Sequence, residues 1–352
     1  MTAIVQDDYG SPGMKHRRVV VTRHGGPDVL QVVEEDLPEP QAGEVRVKVL
    51  AAGISGYDLM DRRYSFPGGP PLPYTPGQDI VGVVDRLGEG VSAVEPGQEV
   101  AGFTFGDAGG YTEYICRPAN ELVPVPAGLD PAEAVCVVVN YLTAHMVLHG
   151  TAKARSGERV LVHGAAGGTG SALLELGRLA GLEMYGTASK YNHEVVSALG
   201  ATPIDYRTED FVERIRSLTG DGVDAVLDPI GGARHIWRSY RALRKGGRYV
   251  GYGMVATSKA GMRAIPFSLL MLVLLQLIPG GRKASMSAEI ATFSEAHDGW
   301  YRETLTELLD WLVAGRIQPV VAERIPLVEA ARAHARLERG GYAGKVVLVA
   351  GA

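Results

Sequence analysis

The chain has only two cysteines, Cys116 and Cys136. Two thiols cannot build a disulfide framework or a cysteine-rich metal site, and such scarcity suits a reducing, cytoplasmic setting. No run of lysines or arginines occurs, and 35 basic against 40 acidic residues leave a formal net charge of -5. That balance argues against nucleic acid or an anionic membrane as the main partner. The N-terminus is polar, carries Asp7 and Asp8, and lacks the apolar core of a signal peptide. Residues 1–15 read as a mobile tail, and a start at Met14 would leave a complete protein. One long apolar run exists, Phe267–Ile278, bounded by Pro266 and Pro279. It is about half the length that spans a bilayer, so it is expected to be a buried helix and not a transmembrane span. There are no internal repeats and no low-complexity segment.

What is present is enough for two domains with real cores, at 352 residues and 46% hydrophobic side chains. From Arg17 to about Val125 short alternating stretches are split by Gly and Pro, as in VRVKVLAAG (Val45–Gly53) and IVGVVDRLG (Ile80–Gly88). Val100–Phe105 and Tyr111–Ile115 continue them. Many short strands with such turns predict a compact, barrel-like domain. Past Asn140 apolar strands alternate with helical patterns, which predicts a doubly wound parallel sheet, an α/β domain. The expected strands are Arg159–His163, Met184–Ala188, Ala225–Asp228, Tyr249–Gly253 and, at the end, Lys345–Val349. The expected helices are Ser171–Ala180, Thr208–Leu218 with Phe211, Ile215 and Leu218 on one side, and Thr304–Ala314 with Leu305, Leu308, Leu309 and Leu312.

The central motif follows the first of these strands: Gly164, Ala165, Ala166, Gly167, Gly168, Thr169, Gly170. Glycine is needed where the turn is tight, where backbone approaches a pyrophosphate and where a helix packs closely on a strand. The helix N-terminus then offers unpaired N–H groups and a positive dipole end to the phosphates. An NAD site places Asp or Glu at the end of the second strand to bind the ribose hydroxyls. Here that end reads Ser189, Lys190, Tyr191, Asn192, with no carboxylate; Glu183 lies before the strand. Ser189 and Lys190, with Tyr206 after the next strand and Asn192 nearby, suit a 2′-phosphate and hence NADPH. His163 reads as a satisfied core or strand-end residue, and His145 with His149 as helix-face neighbours without a further ligand in sight.

The chain resembles the zinc-free branch of the medium-chain dehydrogenase/reductase superfamily, the quinone oxidoreductase and enoyl reductase group. The motifs that carry the likeness run in the family order: HGGPDVLQVVE (His24–Glu34), PGQDIVGVVDRLGEGV (Pro76–Val91), NYLTAH (Asn140–His145), SGERVLVHGAAGGTG (Ser156–Gly170), LGA (Leu199–Ala201), VDAVLDPIGG (Val223–Gly232), LRKGGRYVGYG (Leu243–Gly253) and GKVVLV (Gly344–Val349). The resemblance implies a Rossmann cofactor domain over 140–290 and a β-rich GroES-like catalytic domain over 16–139 and 291–352. Zinc-dependent members carry cysteine and histidine ligands where this chain has Ser55 and Gln78, and their four-cysteine lobe is absent. Zinc needs soft or imidazole ligands in fixed number, so no metal is expected. Cys116 and Cys136 read instead as small core residues.

By the same resemblance, the reaction is hydride transfer from NADPH to an electron-poor, hydrophobic small molecule. Without zinc as Lewis acid, a conjugated acceptor is favoured: a quinone, an enone, an enoyl thioester or a polyene-type natural product. Ser55, Tyr57 and Tyr64 are the candidates on the reacting side, as enolate stabilisers or proton donor. Asp58 matches a structural position. Thr143, Gly251, Tyr252, Gly253 and Lys345 are the candidates beside the nicotinamide and phosphates. The Pro266–Pro279 run is expected to form an apolar wall or lid over the substrate. A homodimer is the family expectation. Two alternatives stand: a biosynthetic tailoring reductase in which conjugate hydride addition drives ring closure, and a redox-silent NADPH-binding sensor or adaptor.

Overall fold

The computed structural model describes residues 13–65, 69–106, 108–253 and 264–351. The expected tail falls outside them up to residue 12, and Lys15 already pairs with Asp36 in a strand. The strands are β1 (Lys15–Val21), β2 (Leu30–Asp36), β3 (Glu44–Gly53), β4 (Asp79–Leu87), β5 (Glu99–Phe103), β6 (Tyr114–Pro118), β7 (Leu122–Pro124), β8 (Arg159–His163), β9 (Glu183–Ala188), β10 (Ala201–Asp205), β11 (Val223–Asp228), β12 (Leu243–Gly251), β13 (Lys283–Met286), β14 (Val321–Pro326) and β15 (Lys345–Val349). The helices are α1 (Gly56–Arg63), α2 (Pro131–Cys136), α3 (Leu142–His145), α4 (Gly168–Leu179), α5 (His193–Ala198), α6 (Phe211–Thr219), α7 (Ala233–Ala242), α8 (Ala264–Gln276), α9 (Ile290–Ala296), α10 (Trp300–Val313) and α11 (Ala330–Arg339).

The chain divides into two compact units. The first holds the residues up to Val138, Glu323–Glu338 and those from Val346 onward. Its main sheet runs β14-β15-β3-β4-β5-β7, with β6 also on β3, and the registered pairs are antiparallel. Val45, Val47, Val49 and Ala51 on β3 are all buried and share one face of the strand; Arg46 and Ala52 on the other face are buried as well. A fully buried Arg62 on α1 pairs with Glu338 on α11. An unpaired guanidinium there would cost several kcal/mol, so this ion pair fixes where α1 lies.

The second unit holds Val139–Ala322 and Arg339–Lys345. Its six strands are all parallel, in the order β10-β9-β8-β11-β12-β13. Counted from β8, that is the order 3-2-1-4-5-6 of a dinucleotide-binding sheet, whose crevice lies at the carboxyl ends of β8 and β11. Leu161, Ile204, Phe211, Ile215, Val226, Ile236 and Tyr240 pack into one cluster. Burying such a side chain contributes roughly 1.5–3 kcal/mol.

Residues 291–322, assigned to the first domain, belong to the second unit; α10 buries Leu305, Leu308, Leu309 and Leu312 and packs beside α3. Leu218 is exposed, because Val212 joins Phe211 and Ile215 on the inner face of α6 and the helix ends at Thr219. The Phe267–Ile278 run is helical as far as Gln276 but not buried all round. Ser268, Leu272 and Leu275 face the core, whereas Leu269, Leu270, Val273 and Leu274 are exposed, with Phe267 at 66% and Leu277 at 75%. Among the described residues one helix, Pro131–Thr151, is long and apolar enough to cross a bilayer, and 72% of its apolar window is buried within the fold.

Candidate active site

β8 is apolar and its Val160, Leu161 and Val162 are fully buried, so the chain leaves the sheet only at Gly164. Gly164 adopts φ +63°, a left-handed turn that favours glycine. The Ala165 N–H donates to the Thr187 carbonyl at 3.0 Å, pinning the loop to the end of β9. α4 then starts from Gly167, whose position carries no side-chain cap. Its first-turn N–H groups are therefore left to a ligand or water. A Cβ on Gly170 would stand 2.2 Å from the Gly164 oxygen, and one on Gly168 would stand 2.3 Å from Asn140 Nδ2. Both glycines are there for space, as the motif predicts. Gly344 joins the loop from far along the chain, its N–H donating to Ala166 O at 2.8 Å. That places the neighbouring Lys345, which is buried and not a surface lysine, at the loop.

β9 and β10 end in register, Ala188 opposite Asp205. Ser189 and Tyr206 each follow that pair by one residue, so both leave the same edge of the sheet beside the exposed Lys190. Glu209 lies at this tip, accepting from the Asp205 N–H at 2.8 Å, and Asp205 is turned into its own loop. The Asp205 carboxylate accepts from the Arg207 N–H at 3.0 Å and from Thr208 Oγ1 at 3.1 Å. The Arg207 guanidinium lies 5.8 Å from the centre of the Tyr206 ring, adding positive charge to this corner. Asn192 is different: it is buried, and its amide donates to the Tyr342 carbonyl at 3.0 Å, which holds the loop in place.

β12 ends at Gly251, opposite Asp228 on β11. The Tyr252 N–H donates to the Asp228 carbonyl at 2.9 Å, and burial together with the Asp228 charge pushes the Tyr252 phenol up. Gly253 packs on Pro229. Thr143 is half-buried on α3, three residues after Asn140.

Ser55, Tyr57 and Tyr64 belong to α1 and its ends in the first unit. Ser55 is the N-cap: its Oγ accepts from the Asp58 N–H at 3.3 Å and its hydroxyl donates to Asp58 Oδ2 at 2.7 Å. Asp58 Oδ1 in turn accepts from the Gly77 N–H at 2.8 Å. Burial pushes the Asp58 carboxyl up despite those hydrogen bonds. Ser55 has one proton and gives it to Asp58, which removes it as a donor to substrate in this geometry. Tyr57 is 40% exposed on the first turn of α1. Tyr64 ends the helix, its N–H donating to the Met60 carbonyl at 2.9 Å.

Cys136 is buried, its Sγ 3.1 Å from the Ala132 carbonyl, and burial raises the Cys116 thiol to about 12. Among the described residues no group of three or more His, Cys, Asp or Glu side chains is placed to hold a metal. With Ser55 and Gln78 where zinc ligands would stand, the residues present do not fit zinc.

Sequence reasoning missed Asn140, which covers Gly168, and a buried group around Asp228. Tyr249 donates to Asp228 Oδ2 at 2.8 Å, and His235 Nε2 stands 3.4 Å from Oδ1. His163 is satisfied as expected, against Thr187 Oγ1 and Ser239 Oγ, each at 3.0 Å.

The model for the alcohol dehydrogenase GroES-like domain matches residues 41–127, and that for zinc-binding dehydrogenase matches 199–348. The chain is 34% identical to a rat synaptic vesicle membrane protein VAT-1 homolog, over 95% of this chain and 84% of that one. It is 30% identical to rat quinone oxidoreductase, over 95% and 97%. A mycobacterial structure solved in complex with NADPH superposes with a TM-score of 0.82 at 29% identity, over 95% of this chain and 99% of that one. Sequence, sheet order and phosphate loop agree, and the chain belongs to the zinc-free, quinone oxidoreductase-like branch of the medium-chain dehydrogenase/reductase superfamily.

Proposed function

We propose that this protein is a zinc-independent, NADPH-dependent oxidoreductase that reduces a conjugated small molecule, such as a quinone, an enone, an enoyl thioester or a polyene-type natural product. The observation that carries the cofactor choice is the corner formed by β9 and β10. Ser189, Lys190 and Tyr206 leave it together, and its carboxylates, Asp205 and Glu209, are occupied within the turn. A 2′-phosphate gains a cation and hydroxyl donors there, whereas the Asp205 and Glu209 carboxylates that a ribose 2′-hydroxyl would need are held within the turn. Two relatives support the reading: rat quinone oxidoreductase by its named activity and the mycobacterial protein by its bound NADPH.

NADPH supplies the hydride when bound. The protein's part is placement and electrostatics. Residues 164–170 take the pyrophosphate on glycine backbone and the open end of α4. Gly251, Tyr252 and Gly253 with Thr143 shape the nicotinamide end, and Lys345 adds charge near the loop. Tyr57 is assigned as the proton donor to the reduced acceptor, because Ser55 is spent on Asp58. The same commitment of Ser55 favours one second reading, a redox-silent NADPH binder.

A cytoplasmic homodimer belongs to the proposal. β13 is an edge strand of the six-stranded sheet, and the apolar outer face of α8 lies next to it. Open edges and apolar patches of that kind are covered in stable proteins, and a second copy is the proposed cover. Titration with NADPH and NADH tests the cofactor assignment. NADPH is expected to bind more tightly, and Lys190→Ala to weaken NADPH by about tenfold while leaving NADH unchanged. Equal affinity for both cofactors, untouched by that substitution, would overturn it.

A further inference from the structure

Asp228 ends β11 at the crevice of the sheet and is fully buried. A buried carboxylate is costly unless it is paired, and this one uses both oxygens and its backbone. Oδ2 accepts from the Tyr249 hydroxyl at 2.8 Å, two residues before Gly251. Oδ1 accepts from the Ile230 N–H at 2.7 Å and faces His235 Nε2 at 3.4 Å. Its carbonyl accepts from the Tyr252 N–H at 2.9 Å.

The next residue, Pro229, reaches both halves of the cofactor site. A Cβ on Gly164 would touch Pro229 Cγ at 3.5 Å, and one on Gly253 would meet the Pro229 carbonyl oxygen at 3.0 Å. From His235 the group continues to His163, with ring centres 4.4 Å apart. His163 precedes Gly164 directly, and its Nδ1 lies 3.0 Å from Thr187 Oγ1, two residues before Ser189. One buried group thus touches the strand end before the phosphate loop, the strand end before the 2′-phosphate corner, and the strand end before the nicotinamide. Burial works against the charge on Asp228, and the His235 contact, the nearby His163 and the Ile230 N–H more than offset it, holding the carboxyl below its ordinary value.

We infer that Asp228, with Tyr249 and His235, is a positioning residue that sets the nicotinamide strand at a fixed distance from the phosphate loop. The inference rests on the cofactor reading above and adds a division of labour to it. The Tyr249–Asp228 arm holds the nicotinamide end, and the His163–Thr187 arm holds the adenosine end. None of these side chains is assigned a contact with the acceptor.

The test compares NADPH with 2′-phospho-ADP-ribose, the same ligand without its nicotinamide, on the full chain. Tyr249→Phe removes the one hydroxyl that satisfies Asp228 Oδ2. It is expected to raise the Kd of NADPH about tenfold and to leave that of 2′-phospho-ADP-ribose within about twofold. Thr187→Val is expected to weaken both ligands alike. A merely structural role would lower Tm and leave the ratio of the two affinities at its native value, and that result overturns the inference. Should Tyr249→Phe fail to fold, His235→Gln at the outer side of the group makes the same comparison. Native protein that binds neither ligand would overturn the cofactor reading itself. The variants are read as ratios to a native protein that binds, so the two failures are distinct.

Discussion

The Ser55 hydroxyl donates to the Asp58 carboxylate at 2.7 Å, and the Ser55 and Gly77 N–H groups donate to the same side chain. This buried carboxylate therefore joins the start of α1 to the turn at Gly77. Ser55→Ala removes the cap and one donor to Asp58. The expected loss is about 1–2 kcal/mol of stability, read from urea unfolding. Ser55→Asn should recover much of it, because asparagine also caps. A loss of turnover in Ser55→Ala without any loss of stability would return Ser55 to the reacting side.

Two glycines of the phosphate loop should differ in severity. A Cβ at position 170 meets backbone, the Gly164 oxygen at 2.2 Å, which cannot yield without moving the loop. A Cβ at 168 meets the Asn140 side chain, which can turn away. Gly170→Ala is expected to abolish NADPH binding and Gly168→Ala only to weaken it, as measured by nicotinamide fluorescence. Equal effects would contradict the packing account.

Acid should destabilise the fold before its carboxylates titrate. Burial holds His163 and His334 down at about 3, and His145 at about 4, against an ordinary value of 6.5. Neutral histidine is the folded form, so below the ordinary value the unfolded chain binds more protons than the folded one. Stability is then complete above 6.5 and falls as pH drops from there toward the folded values. The slope is about 1.4 kcal/mol per pH unit for each histidine. Tm measured stepwise through this range should decline, and His334→Gln should flatten the decline. A Tm that stays level down to the carboxylate range would contradict it.

The exposed face of α8 predicts an oligomer. Native protein should sediment as a dimer, and Val273→Glu should shift it to monomer while leaving NADPH affinity unchanged. A native monomer would contradict the proposed cover for β13 and α8.

Much of the cofactor unit is legible in the sequence because its signals are local. Arg159–His163 is a strand with the expected bounds, and the glycines mark the turn that follows β8; Lys345–Val349 is also a strand, but it pairs antiparallel with β3 in the sheet of the first unit and not with the parallel strands. What was not legible depends on distant pairs. Asp228 reads as an ordinary strand-end residue until Tyr249 and His235, from β12 and α7, are folded onto it. The orientation of α8 was hidden because its run is apolar on every face and carries no polar stripe to mark the solvent side. The leucine pattern of α10 announces a helix but not which unit it packs on, and so 291–322 was misplaced. Ser55 could be aligned with a reacting position, yet its proton is claimed by a capping partner three residues away, a detail only geometry resolves.

Metal-independent, NADPH-driven reduction of a conjugated acceptor is read from the loss of reduced nicotinamide absorbance with a quinone, an enone, an enoyl thioester or a conjugated polyene, in the presence of a strong chelator. Acceptor-dependent oxidation of NADPH is expected, faster than of NADH and unaffected by the chelator. Tight NADPH binding with no oxidation by any acceptor would contradict the enzyme reading and favour the redox-silent binder.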